Sequence, residues 1–252
     1  MKRRYIDFEI DNTLDVKKKY PNQWETFKPF ADRYENLCLQ FDGIIDIDTW
    51  EKTNLKILFL LKDSYRPVNK NGDYNTARFS TYVLDCIANK TKDKIKDKTW
   101  KQVLLWANAI SKKCGFGEIE NLKNVAFMNV NKLAFKSENN TNSENSNLKI
   151  AVKEDKDILR EQLEIISPDI IVCGNTGKYL FDILKEKGSY ISGIGKQKDG
   201  RNPLYLYKTD KYVVFDAYHP SYRETTTVKE FEKLITENEE LFKFYENRKN
   251  QN

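Results

Sequence analysis

The single histidine of this chain, His219, stands between an apolar segment and a Pro-Ser pair, in the sequence FDAYHPSYR. A neutral imidazole donates a hydrogen bond from one ring nitrogen and accepts one at the other. Such a donor can stabilise negative charge that develops on a reacting group. The competing interpretation is a histidine that merely follows a strand. The choice between them depends on the polar groups that the fold brings beside this ring.

Three other apolar segments also end in polar residues. Segments 55–62, 124–130 and 169–174 are almost continuously apolar, which is typical of strands that helices cover on both faces. A fourth strand is expected at 211–218, directly before the histidine. In a parallel sheet, ligands bind beyond the carboxyl ends of the strands. The groups that we expect to meet there are Asp63-Ser64-Tyr65, Asn129 to Lys132, Gly174-Asn175-Thr176 and His219-Pro220-Ser221.

Helical patterns alternate with these strands. Helices are expected at 22–41, 79–90, 98–113, 148–166, 176–187 and 228–246. The polar segment 136–147 is expected to be a flexible loop, and 188–210 is expected to contain a hairpin. This alternation predicts a three-layer α/β/α sandwich around a central, mostly parallel four-stranded sheet. We expect residues 1–50 to form a helical extension packed on a core domain of residues 51–252.

Composition favours a globular protein in a reducing compartment. Hydrophobic residues make up 39% of the 252 positions, and the net charge of +5 permits contact with a polyanion without requiring it. The four cysteines are scattered without a C-x-x-C pair, which is not a pattern typical of zinc or iron–sulfur sites. No apolar run approaches the roughly 20 residues of a membrane span, and no secretory signal pattern follows the basic start. We therefore expect a monomeric cytoplasmic protein that does not contact a membrane.

Four motifs in order resemble those of the uracil-DNA glycosylase superfamily. FLLKDSY is similar to its first motif, AFMNVNKLAF to its strand ending in asparagine, and DAYHPSYR to its His-Pro-Ser motif. LREQLEIISPDIIVCGNTGKYL is similar to the helix, strand, turn and helix of its iron–sulfur branch, and the agreement runs from about Lys56 to Glu224. The resemblance implies a monofunctional DNA glycosylase that flips a uracil or modified pyrimidine and hydrolyses its N-glycosidic bond. Its role would be DNA repair, or defence against modified phage DNA.

The resemblance also assigns the chemical roles. Breaking the bond places positive charge on the sugar and negative charge on the leaving base. Asp63 would orient water and stabilise the sugar cation, while His219 would donate a hydrogen bond to the carbonyl oxygen of the base. Asn129 would read the Watson–Crick edge of the base with its amide. The alternatives are a helix N-cap for Asp63 and a loop-satisfying asparagine at position 129, with Asn131 as the rival base reader.

Aromatic and basic residues complete the site that the resemblance implies. Phe79 would stack on the flipped base, or pack in the core instead. Tyr65 would close the pocket against the methyl group of thymine, or pack within its loop. DNA contacts are expected from Ser221, Tyr222 and Arg223. Additional phosphate contacts are open to Arg66, Lys70, Arg78, Lys196, Lys198 and Arg201.

Departures from the family pattern leave the substrate open. Ser64 stands where the family usually has proline, and the four-cysteine cluster of the iron–sulfur branch is absent. We therefore expect neither a metal nor an organic cofactor. Lys62 and Lys132 lie near the edge at which a lyase amine would act. The alternative function is a catalytically inactive relative that binds DNA or a nucleotide. A Rossmann-like nucleotide enzyme is disfavoured, because the first strand is not followed by glycine until Gly72.

Overall fold

A computed structural model describes residues 7–65, 76–135, 141–195, 203–222 and 226–243; for 63–65, 134–135 and 141–147 it describes the backbone alone. The α-helices are α1 (Thr13–Lys19), α2 (Pro21–Arg33), α3 (Ile47–Lys52), α4 (Lys98–Lys113), α5 (Thr141–Ile166), α6 (Gly177–Leu184) and α7 (Val228–Glu237). The strands are β1 (Leu39–Gln40), β2 (Gly43–Ile44), β3 (Ile57–Tyr65), β4 (Phe79–Ser80), β5 (Val125–Phe135), β6 (Ile170–Gly174), β7 (Ser189–Ile194), β8 (Leu204–Lys208) and β9 (Val213–Ala217). A short π-helix spans Val83–Ile87, and a 3-10 turn spans Leu122–Asn124.

The described strands form one mixed sheet of nine strands. Its order is β4-β1-β5-β3-β6-β9-β8-β7, with β2 also pairing with β5. The central strands β5, β3, β6 and β9 are parallel, and they are the four that the sequence predicts. The predicted α/β class is confirmed, but the predicted four-stranded sheet is wrong. The predicted hairpin forms as β7 and β8 and joins the sheet through β9. At the other edge, two-residue strands are too short to leave a periodic pattern in the sequence.

The two longest central strands continue beyond their apolar runs. The residues from Ile57 to Leu61 are buried, as expected for a strand with helices on both faces. β3 nevertheless runs on to Tyr65, and its register with β5 shifts between Asp63 and Ser64. The polar residues at the end of this strand are therefore part of the sheet.

Helices cover both faces of the sheet. Helices α2, α5 and α6 pack in one layer and α4 with α7 in the other. In the second layer, the Phe231 ring lies 5.2 Å from Trp106 and 5.1 Å from Phe215, measured between centroids. Helix α5 already begins at Thr141, so the predicted loop is wrong for residues 141–147; residues 136–140 lie outside the described part of the chain. Within that part, none of the helices combines the length and apolar character that a membrane crossing requires.

The N-terminal residues contribute to the sheet as well as to the helices. Strands β1 and β2 pair with β5, and the buried rings of Phe27 and Phe41 lie 5.0 Å apart between centroids. Helix α2 ends at Arg33, well before the end of the predicted helix 22–41, because the chain turns there into β1. The division of the chain at residues 50 and 51 stays a prediction.

Candidate active site

The carboxyl edge of the parallel strands brings the predicted polar groups to one side of the sheet. Strand β6 ends at Gly174, and β9 ends at Ala217, two residues before His219. Adjacent strands lie about 4.8 Å apart, so β3 and β9, with β6 between them, are separated by about 10 Å. Side chains that converge from these two strands would leave space for one nucleotide.

A tight turn holds the histidine at this edge. The Tyr222 N–H donates to the His219 carbonyl oxygen at 3.1 Å, and Pro220 occupies the second position of the turn, which its fixed φ favours. Lys98, the first residue of α4, donates from Nζ to the Tyr222 carbonyl oxygen at 3.0 Å. The turn is therefore fixed at both of its ends.

Hydrogen bonds within the turn select one tautomer of the imidazole. The Ser221 backbone N–H donates to His219 Nδ1 at 3.3 Å, and Ser221 Oγ lies 2.8 Å from the same nitrogen. A backbone N–H can only donate, so Nδ1 is the acceptor and the ring proton resides on Nε2. The ring therefore presents a neutral N–H donor on the side away from Ser221.

The surroundings of the ring keep it neutral. His219 is half-buried, and burial together with the nearby Lys62 ammonium lowers its pKa to about 4. The Lys62 Nζ also lies 5.8 Å from the centroid of the Tyr222 ring. At neutral pH this imidazole is a hydrogen-bond donor without a formal charge.

The turn after β6 packs closely against the His219 turn. A methyl group at Gly174 would lie 3.0 Å from Leu61 Cδ2 and 3.4 Å from both His219 Cδ2 and Pro220 Cδ. Glycine therefore allows the His-Pro turn to lie close to β6 and β3. Thr176 Oγ1 anchors this second turn by donating to a β3 carbonyl oxygen at 2.6 Å. The GNTGKY segment is thus part of the scaffold that holds the His219 turn.

The two candidate asparagines on β5 have different partners. Asn129 and Asn131 are both buried. Asn131 Oδ1 accepts the Leu133 N–H at 3.2 Å, so this amide serves the local backbone. Among the described residues, the hydrogen bonds of Asn129 involve its backbone N–H, which donates to Asp42, and not its side-chain amide. This difference favours Asn129 over Asn131 as a group that could meet a ligand.

Asp63 and Tyr65 belong to β3, and their side chains lie outside the described residues. The backbone of Asp63 pairs with Asn131. Because Asp63 lies inside a strand, the helix N-cap alternative is wrong. The predicted roles of the Asp63 carboxylate and the Tyr65 ring stay predictions.

Phe79 lies in the core. It is 1% exposed, and its ring centroid lies 5.5 Å from Trp24, 6.0 Å from Phe27 and 6.4 Å from Phe41. Strand β4 pairs with β1 at this position, which directs the chain into the layer of α2. Phe79 therefore packs in the core, as the alternative interpretation predicts, and protein side chains surround its ring.

The predicted DNA-contacting residues follow the histidine at the surface. Ser221 is exposed and its hydroxyl bonds to the imidazole. Tyr222 is 42% exposed. Arg78 donates instead to Ala31 O and Thr13 Oγ1, which is a structural role. Outside the described residues lie Arg223, Arg66, Lys70, Lys196, Lys198 and Arg201.

One titratable residue near the site was not singled out from the sequence. Asp216 on β9 accepts the Gly177 N–H at 3.2 Å, and burial raises its pKa to about 6. A methyl group at Gly177 would lie 2.4 Å from Asp216 Oδ2, so a side chain there would displace the Asp216 carboxylate. The available signal was an aspartate inside a strand that is otherwise predicted to be buried.

A cleft lies at the opposite edge of the sheet, before the starts of β3, β6 and β9. Its volume is about 800 Å³, and both acidic and basic side chains line it, Glu51, Glu164 and Asp169 with Lys56 and Lys211. Such mixed charge gives no complementarity to a polyanion. In the part of the chain that is described, no three histidine, cysteine, aspartate or glutamate side chains are grouped to hold a metal ion.

Comparison with known proteins identifies one family. The model described as the uracil DNA glycosylase superfamily matches residues 52–243, which include all four central strands and the His-Pro-Ser turn. No match was found among curated proteins.

Proposed function

Because the chain belongs to the uracil DNA glycosylase superfamily, we propose that it is a monofunctional DNA glycosylase. It hydrolyses the N-glycosidic bond of a flipped uracil or modified pyrimidine in single- or double-stranded DNA. The observation that carries this proposal is the His219 turn, which presents a neutral N–H donor at the carboxyl edge of the sheet. The proposal includes a cytoplasmic monomer that needs neither a metal nor an organic cofactor.

His219 acts on the leaving base. As the bond between the base nitrogen and the sugar carbon breaks, the electron pair leaves with the base and spreads onto its carbonyl oxygen. Nε2–H donates to that oxygen without giving up its proton. Removal of such a donor typically costs about 3 kcal/mol of transition-state stabilisation. A neutral imidazole suits this role, because its donor is already oriented by Ser221.

Asp63 acts on the sugar. Its carboxylate stabilises the cation that develops there and orients the water whose oxygen bonds to the sugar carbon. The proton that this water loses balances the one that the released base anion takes up from solvent. Support comes from the backbone, since Asp63 is two strands, or about 10 Å, from the His219 turn. The base and the sugar of one nucleotide can then face different partners.

Residues at the carboxyl edge of the sheet are also proposed to recognise the base and the DNA. In the proposal, the Asn129 amide pairs with the base and Tyr65 closes the pocket. Ser221, Tyr222 and Arg223 contact the DNA. The proposal does not include stacking of the base on Phe79, because that ring would first have to leave its contacts with Trp24 and Phe27.

The direct test is a search for released bases. Purified protein is incubated with uracil-containing DNA and with phage DNA that carries modified cytosines, and free bases are identified by mass spectrometry. We expect one pyrimidine to be released, and borohydride to trap no protein–DNA adduct. DNA binding without base release from any of these DNAs would favour the inactive relative instead. A trapped adduct would contradict the monofunctional mechanism.

A further inference from the structure

A buried ion pair joins the N-terminal part of the chain to β5. Asp42 is 1% exposed and Lys132 is 0% exposed. The Lys132 ammonium donates to both carboxylate oxygens of Asp42, at 2.9 Å and 2.8 Å. Gln162 Nε2 donates a further hydrogen bond to Asp42 at 3.0 Å. Burial raises the pKa of Asp42, yet every one of these partners is a donor, and this arrangement requires the carboxylate form.

Asp42 lies where the edge of the sheet is interrupted. The pairing of β1 sets Leu39 opposite Leu133, and the pairing of β2 sets Gly43 opposite Phe127. From Leu39 to Gly43 the chain advances four positions, whereas their partners on β5, Leu133 and Phe127, are six positions apart. Strand β5 therefore bulges between its two edge partners. The segment of β5 between these two edge pairs contains both candidate asparagines, and its pairing with β3 stays in register as far as Asn131 and shifts only after it.

The Asp42 carboxylate replaces the backbone acceptor that this bulge lacks. Its Oδ2 accepts the Asn129 backbone N–H at 2.6 Å. A buried N–H without an acceptor is costly, so Asp42 fixes the point at which β5 departs from its ladder. A slip of one residue would move each side chain of the strand to the other face. The parallel pairing with β3, which sets Leu61 opposite Asn129, fixes that register, and the Asp42 bond holds the Asn129 backbone from the side that faces away from β3.

We infer that Asp42 is a positioning residue, which acts through the Asn129 backbone to orient the amide that reads the base. This role rests on the proposed function. A buried ion pair adds little stability compared with apolar side chains of the same volume. The geometry that the pair imposes on β5 is therefore its main consequence. Lys132 neutralises the carboxylate, so that it can be buried at this position.

Two double variants separate the acceptor from the charge. Asp42→Asn with Lys132→Met removes the ion pair but keeps a side-chain oxygen for the Asn129 N–H. Asp42→Leu with Lys132→Met removes the ion pair and that oxygen together. Asp155→Asn is the control, because Asp155 is similarly buried but bonds to Arg33 at the end of α2 and to Tyr34 directly after it. Thermal unfolding of each variant establishes that it is folded.

Two measurements are made on these variants. The first is kcat and KM for release of uracil from a single-stranded oligonucleotide, and the second is hydrogen exchange of the Asn129 amide. We expect kcat/KM of the leucine double variant to fall about tenfold or more below that of the asparagine double variant, as misplacement of a binding group predicts. Its Asn129 amide exchanges correspondingly faster. The Asp155 variant matches the wild type in both measurements.

Equal kcat/KM in the two double variants would overturn the inference, as would equal exchange of the Asn129 amide. If the leucine variant does not fold, the wild type is used instead, and the exchange rate of its Asn129 amide is compared with that of the Phe127 amide in the sheet. Faster exchange at Asn129 overturns the inference. Equally slow exchange at Asn129 supports it. A wild-type protein that releases no uracil contradicts the proposed function on this base. The exchange measurement then still decides whether Asp42 holds Asn129.

Discussion

At the scale of the residue, the account depends on the state of one imidazole. The Ser221 N–H fixes the acceptor nitrogen of His219, and burial beside Lys62 keeps the ring uncharged. Protonation would place a second N–H against the Ser221 donor, and it would add a positive charge next to an ammonium. The same contacts thus set both the tautomer and the pKa.

Nitrogen-15 NMR of protein labelled at histidine measures this state without ambiguity, because the chain has one histidine. We expect the Nε2–H tautomer and a titration midpoint near pH 4. The folded pKa lies below the unfolded value of about 6.5, so the ring stays neutral as the pH falls until about 4 is reached. Activity that needs the neutral ring is lost only below that pH. A midpoint at 6.5 or higher, or a proton on Nδ1, would contradict the account.

At the scale of the element, β9 carries a carboxyl group that is held against the first turn of α6. Asp216 pairs across the sheet with Cys173 and Tyr205 and accepts the Gly177 N–H. Burial raises its folded pKa to about 6 from 3.8. The folded protein therefore binds this proton more tightly than the unfolded chain does. The stability that protonation contributes is complete below about pH 4 and is lost as the pH rises through about 6.

Asp216→Asn mimics the protonated group and keeps an oxygen for Gly177. At pH 8 we expect the variant to be more stable than the wild type by at most about 3 kcal/mol, given a shift of about two pKa units. The difference in the free energy of unfolding shrinks as the pH falls and vanishes below about pH 4. Urea denaturation at several pH values measures it. A difference that does not change with pH would show that the Asp216 carboxyl is not the cause.

At the scale of the whole molecule, the central sheet could be predicted because its strands are long apolar runs that end in polar residues. β1, β2 and β4 could not be predicted, since two residues carry no periodicity. The burial of Phe79 also could not be predicted, because the side chains that surround its ring come from α2, about 50 positions earlier in the chain. Lys132 was the available signal for the buried network. A lysine inside an apolar strand requires a buried partner, but the sequence alone does not show that this partner is Asp42, 90 positions away.

The candidate site also contains a part that could be predicted from the sequence and a part that could not. His219, its serine partner and Gly174 lie together as the four-motif order implies, because parallel strands bring their carboxyl ends to one edge. Asp42 and Asp216 were missed, because their importance arises from contacts between segments distant in sequence. The family match over residues 52–243 includes Asp216 but begins after Asp42. The positioning network therefore extends into the part of the chain before the matched domain.

The central claim is that the Asp63 carboxylate and the His219 imidazole act on opposite charges of one nucleotide. Single-turnover base release from a uracil-containing oligonucleotide, measured for the wild type, Asp63→Asn and His219→Ala, tests it most directly. We predict that each variant releases the base about 100-fold more slowly or worse, while DNA binding, followed by fluorescence anisotropy, stays close to wild type. Release at the wild-type rate by either variant would contradict the claim.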